Sequence, residues 1–175
     1  MSKEAGFIDI VLSDPIATAA CFVAFLAVFI AIWQGYEQRR HNRLSVRPLL
    51  SRITRNGKGA NLSISLKNMG LGAAIIKDVH FSIDGRKYEV SNVSDYSKLF
   101  YAVGVQHLAG QFLCCSVGKQ AVLAPNDSVN LIELPEGAYD ENEHVDIITA
   151  LSKIRVDANY ESIYKEKFTT KLEQP

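Results

Sequence analysis

From Ile16 to Trp33 the chain is apolar without interruption, 18 residues with no charge, amide or proline. At about 1.5 Å of rise per residue such a run makes a helix roughly 27 Å long, close to the ~30 Å hydrocarbon core of a bilayer. Pro15 precedes it, where a missing N–H costs nothing. Trp33 and Tyr36 stand where aromatic rings anchor a span at the headgroups. The pattern predicts a short segment over 1–15, a transmembrane helix over 16–36, a basic juxtamembrane linker over 37–47 and a domain over 48–175. A cleaved signal peptide fits poorly, because Lys3 is outweighed by Glu4, Asp9 and Asp14 and no cleavage site follows Trp33.

Beyond the linker the period changes from helical to twofold. Leu62, Ile64 and Leu66 alternate with Ser63, Ser65 and Lys67, the signature of a half-buried strand. Ile75, Val79, Phe81 and Ile83 are expected on one face of the next strand, which Asp84-Gly85 turns back into Arg86–Val90. Val129, Leu131 and the Leu134 region predict a strand after the turn Pro125–Ser128. Ile154, Val156, Ala158 and Tyr160 predict another, paired through a turn at Tyr164–Glu166 with Phe168, Thr170 and Leu172. Tyr96, Leu99, Phe100 and Val103 share a helical face, so a short helix is expected there. Asp140–Ser152 fits either a helix or a loop and strand, and Phe112–Val117 reads as a buried strand. The fold class expected is a transmembrane helix followed by a mainly-β, immunoglobulin-like sandwich with one or two short helices.

The membrane helix has two unlike faces. Ala17, Ala20, Ala24, Ala27 and Ala31 follow a 3-4-3-4 spacing and form one seam, opposite Phe22, Phe25, Leu26, Phe29, Ile30 and Trp33. Helices associate in lipid through close approach at small residues, so the seam predicts self-association and a homo-oligomer. Arg39, Arg40, Arg43, Arg47, Arg52 and Arg55 follow the span and are opposed only by Glu37. The positive-inside rule then places the C-terminal domain in the cytoplasm and the N-terminus outside.

Charge is balanced overall but unmixed. Arg47 to Lys87 holds eight basic residues against Asp78 and Asp84, whereas Glu133 to Asp146 holds six acids and no base. The basic half suits anionic lipid or a phosphate-bearing ligand, and Arg52, Arg55, Lys58, Lys67, Lys77, Arg86 and Lys87 are the candidate ligand-binding pool. A site for a multi-phosphate ligand is expected to be shared between subunits. No DNA or RNA polymer is expected as a partner.

The order of motifs carries a resemblance. Arg47-Pro48 follows the basic stretch, then come Leu66–Ala74 (Leu-Lys-Asn-Met-Gly-Leu-Gly-Ala-Ala), Asp84-Gly85, Leu123–Ser128 and Val156–Tyr164. The chain resembles small bacterial proteins that tether an immunoglobulin-like β-sandwich to the inner membrane by one N-terminal helix. The resemblance covers most of 46–172 and departs at Lys165, where a turn glycine is usual. It implies a fold and an inner-membrane location, and no activity. Some similarly built proteins are phage-defence effectors gated by cyclic oligonucleotides, an analogy of architecture.

Catalytic chemistry finds little support. Gly118-Lys119 is not a phosphate loop, since Gln120 follows and Leu113 stands where the first glycine belongs. No serine lies in a nucleophile elbow, and the histidines have no metal-ligand spacing. Cys21, Cys114 and Cys115 in a cytoplasm-facing chain argue against a disulfide framework and read as buried packing. Gly70 and Gly72 imply a positive φ or a close backbone approach. No enzyme, cofactor or metal is expected. The classes that remain are a ligand-binding sensor coupled to an oligomeric helix, a membrane-perturbing effector of the same design, and a passive tether or subunit of a membrane complex.

Overall fold

The computed structural model describes residues 15–57, 60–115, 117–118 and 120–170. The chain divides into two compact units, Met1–Leu44 and Ser45–Pro175. In the first, helix α1 (Pro15–Ser45) runs for 31 residues with none buried, and its most apolar 18 residues have a mean hydropathy of 2.5. It is long and apolar enough to cross a membrane. The helix does not stop at Tyr36: the stretch expected as a linker is helical as far as Ser45, with Glu37 and Arg40 paired one turn apart at 3.8 Å.

The second unit is built of two antiparallel sheets around one core. Strands β1 (Leu50–Arg55), β2 (Leu62–Asn68) and β6 (Ser128–Leu134) form a three-stranded sheet in the order β1-β2-β6. Strands β4 (Arg86–Tyr88), β3 (Ala74–Ile83), β7 (Arg155–Glu161) and β8 (Lys167–Thr170) form the other in that order, and β5 (Val122–Leu123) pairs with the start of β3. Leu62, Ile64 and Leu66 from the first sheet and Phe81, Val156 and Ala158 from the second share the core, and burying each of the larger side chains, Ala158 aside, contributes about 1.5–3 kcal/mol. The sheets also meet at Leu50, whose N–H donates to the Tyr160 hydroxyl at 3.4 Å and whose carbonyl accepts from the Thr170 hydroxyl at 3.4 Å.

Most expected elements form, and the exceptions have local causes. The Asp84-Gly85 hairpin is present, with φ of 48° and 81° at its two central residues, as a tight primed turn requires. Lys165 adopts φ 62° at its turn without being glycine. Helix α2 (Val93–Val103) buries Tyr96, Leu99, Phe100 and Val103, and Asp140–Ser152 resolves as a 3₁₀ turn (Glu141–Glu143) followed by helix α3 (His144–Ser152). Leu172 lies outside the described residues. Ser63 and Ser65, expected toward solvent, are buried because β2 is the central strand of its sheet, and the Ser65 hydroxyl donates to Asn130 Oδ1 at 2.8 Å.

Strand β3 carries a register shift between Ile76 and Asp78 that changes which residues face inward. Ala74 and Ile76 are buried before it and Phe81 and Ile83 after it, so Ile75 is not on the core face with them, contrary to the simple alternation. The described residues of Phe112–Val117 form no strand. Their pairing is a single bridge, Leu113 to Glu133, because Phe112 turns inward to lie 4.6 Å from the Phe100 ring while Leu113 faces out. The cysteines correct the packing expectation as well: Cys114 is half-buried and Cys115 exposed, on this irregular segment.

Candidate functional site

The Asn68–Gly72 turn meets the chain where it enters the domain. A Cβ on Gly72 would fall on the Val46 carbonyl, and one on Gly70 on the backbone of Arg47–Leu49. Close approach, and not a positive φ, is therefore what these two glycines supply. Between them and the entering chain sits the Asn68 side chain, fully buried. Its Nδ2 donates to the carbonyls of Gly72 (2.7 Å), Leu123 (3.1 Å) and Ala124 (3.3 Å). Its Oδ1 accepts from the N–H groups of Leu49 (3.2 Å) and Gly70 (3.0 Å). One amide thus satisfies main-chain groups from the entering chain, the turn and the segment before β6. Met69 N–H adds a bond to the Leu49 carbonyl at 2.7 Å, and Arg47 lies over the Phe168 ring at 4.8 Å. This clamp holds the first residues after α1.

A polar cleft opens where β3 lacks a neighbour. Strand β4 pairs with β3 only at Phe81–Ile83 and β5 only at Ala74 and Ile75, so one side of Lys77–His80 is left open. Two adjoining cavities of about 210 and 350 Å³ fill that gap and share Lys77, Asp78, Val79, Val90 and Ser91. The smaller has an apolar floor of Phe81, Tyr96 and Leu131. Burial pushes the Tyr96 hydroxyl up to about 12, with Cys114 and Cys115 adding to the shift, and that hydroxyl donates to the Cys115 carbonyl at 3.1 Å. Burial, then Cys115, pushes the Cys114 thiol up too, which leaves it a weak nucleophile. On the rim, His80 Nε2 lies 2.6 Å from Asp78, and Lys77 pairs with Glu161 at 3.0 Å.

The structure distributes the basic pool over both sheets. Arg52 points inward and its Nη2 donates to the Leu151 carbonyl at 3.3 Å, at the end of α3, where a cation suits the helix dipole. Burial lowers its pKa from the usual guanidinium value. Arg55 and Lys67 share the outer face of the three-stranded sheet, but their cross-strand partners Ser63 and Ser51 show them two rows apart, about 14 Å between Cα atoms. Arg86 and Lys87 are exposed neighbours on β4, and Lys77 lies in the cleft. Lys58 lies outside the described residues. Among the described members of the pool, Arg86 and Lys87 are consecutive on β4, so their side chains leave opposite faces of the strand, and no two cations of the pool are shown converging on one surface.

On α1 the alanine seam and the aromatic face occupy opposite sides, and Phe22, Phe25, Leu26, Phe29 and Ile32 line an open apolar groove. Among the described residues no group of His, Cys, Asp and Glu is arranged to hold a metal ion. His144 is buried, its Nε2 donating to the Asn56 carbonyl at 3.2 Å and its Nδ1 3.1 Å from the Tyr139 hydroxyl, which ties it to the fold. The clamp's chemistry and the cleft were not anticipated from sequence. The adjacent apolar pair Ile75-Ile76 followed by Lys77-Asp78 is the signal that alternation breaks there. Compared with known proteins, the chain matches no family model and no curated protein.

Proposed function

We propose that this chain is a non-enzymatic, single-pass membrane protein whose cytoplasmic β domain, an immunoglobulin-like sandwich, senses a ligand and passes that event to a self-associating helix. The observation that carries the reading is α1, a 31-residue helix with an apolar run of bilayer length and no buried residue. A soluble fold gives no reason to leave Phe22, Phe25, Phe29 and Trp33 all exposed. Arginines beyond the span support a cytoplasmic domain in a bacterial inner membrane.

The entry clamp supports coupling over passive tethering. Helix α1 ends at Ser45, and the domain's own first residues, from Val46 to Leu49, are held against Gly72, Gly70 and Asn68. For the ligand, the exposed Arg86 and Lys87 on β4, with Arg55 and Lys67 on the other sheet, are separate cations that only a site shared between subunits would bring onto one anion, such as a cyclic oligonucleotide messenger or an anionic lipid headgroup. Calorimetry of the full chain in neutral micelles against cyclic oligoadenylates tests the messenger. Binding that weakens with salt and is lost in Arg86→Ala/Lys87→Ala supports it. No binding, with adhesion to anionic vesicles needing the same residues, assigns them to lipid.

A further inference from the structure

The open side of β3 presents one main-chain rung with nothing bonded to it. Ile83 and Arg86 form a hydrogen-bonded pair across the two-residue turn, and alternation makes Phe81 with Tyr88 the next such pair. Val79 follows on the same side, whereas Asp78, His80 and Ser82 are the rungs that face β7. Beyond Tyr88 the chain leaves the sheet. The next bonds on this side of β3 are those of Ile76, with Gln120 and Ala121, each at 2.8 Å. The Val79 N–H and carbonyl therefore face the cleft without a main-chain partner among the described residues.

Length, depth and charge decide what fits there. The open stretch Lys77–His80 is four residues, about 14 Å, and β4 and the Gln120–Ala121 segment close the line at its two ends. A strand cannot run through, so the gap suits a chain end. One residue takes both bonds of Val79 only in an antiparallel rung, and a chain so placed runs as β4 does, with its start beside Glu89. The side chain opposite Val79 shares its face, over the apolar floor of Phe81, Tyr96 and Leu131. On the rim Lys77 is matched by Glu161 at 3.0 Å and Asp78 by His80 at 2.6 Å. That leaves the exposed Glu89 carboxylate without an ion-pair partner among the described residues. A chain that begins with an ammonium complements it, and a terminal carboxylate is repelled.

We propose that this cleft binds the free N-terminal end of a peptide whose first residue is apolar. The ammonium donates to the Val79 carbonyl and to Glu89, the first carbonyl accepts from the Val79 N–H, and the first side chain covers Phe81, Tyr96 and Leu131. The site is separate from the cationic surfaces considered above, and its test does not depend on the nucleotide measurement. Nuclear magnetic resonance of the labelled full chain in neutral micelles, titrated with the tripeptide Leu-Gly-Gly, provides that test. The amide signals of Val79, Val90 and Ser91 should move and saturate at about millimolar peptide. N-acetylated Leu-Gly-Gly, which lacks the ammonium, and Gly-Gly-Gly, which lacks the side chain, should each bind at least about tenfold more weakly. Glu89→Gln should weaken Leu-Gly-Gly by about tenfold and leave the acetylated peptide as it was. Equal shifts with the acetylated peptide, shifts confined to other parts of the domain, or none at about 10 mM peptide would overturn the proposal.

Discussion

Replacing Asn68 by alanine removes one side chain and strands main-chain groups from three segments. The Gly72 and Leu123 carbonyls lose a buried donor, and the Leu49 and Gly70 N–H groups lose a part-buried acceptor. A typical intramolecular hydrogen bond contributes about 1 kcal/mol net, and an orphaned buried group costs about 1–3 kcal/mol. Water can reach the two part-buried donors, so the two carbonyls dominate, and the sum is about 3–4 kcal/mol. That is a large share of the ~5–15 kcal/mol that holds a domain together. At roughly 3–5 °C per kcal/mol for a domain of this size, the melting temperature should fall by about 10–15 °C. Scanning calorimetry of the full chain in micelles follows the domain transition. Asn68→Asp should be no better than alanine, because a carboxylate would face the carbonyls that now accept from Nδ2. A melting temperature for Asn68→Ala within about 2 °C of the parent would refute the clamp as the element that secures the entering chain.

Gly72→Ala should destabilise the domain by about 1–3 kcal/mol, since its methyl group would meet the Val46 carbonyl, whereas Gly118→Ala, with open space around it, should be near neutral in the same calorimetric assay. Arg52→Ala should cost stability through the lost bond to the Leu151 carbonyl and the loss of a packed stem, and Arg55→Ala, exposed on the same strand, should not. The Asp95 carboxyl is held below its ordinary range by hydrogen bonds from Lys98 and from the Ser91 and Asn92 N–H groups. A depressed folded pKa adds stability above the unfolded carboxylate value that is lost as pH falls through the folded one. Asp95→Asn should therefore reduce the acid-side slope of melting temperature against pH, and an unchanged slope would discount this cap.

What was legible in the sequence was what period alone determines. Eighteen apolar residues in a row need no tertiary information to become an exposed helix, and α1 forms there. Ile154, Val156, Ala158 and Tyr160 alternate with polar residues, and all four are buried. Asp84-Gly85 turns the chain because the local φ preference suffices. The misses lie where a partner decides. Ser63 and Ser65 are buried by the strands on either side of β2, and Phe112 abandons a strand to reach Phe100. The glycine pair implies either a positive φ or a close approach, and that it is the second, that the entering chain is what approaches, and that Asn68 joins the two, depends on contacts nineteen residues apart. The basic pool had charge without geometry: alternation on β1 sends Arg52 inward and Arg55 outward, and the sheets divide the rest.

The central claim is that α1 crosses a membrane with the domain on the cytoplasmic side, and the chain's own cysteines provide the measurement. Cys115 is exposed on the domain, Cys114 is half-buried with a raised pKa, and Cys21 falls within the apolar run. Bacterial spheroplasts expressing the chain should take up no membrane-impermeant maleimide on it while intact, and should label it at Cys115 once permeabilised. The label should disappear in Cys115→Ala, and the chain should stay in the membrane pellet after alkaline carbonate. Labelling of Cys115 in intact spheroplasts would place the domain outside, and release of the chain into the carbonate supernatant would mean that α1 does not span.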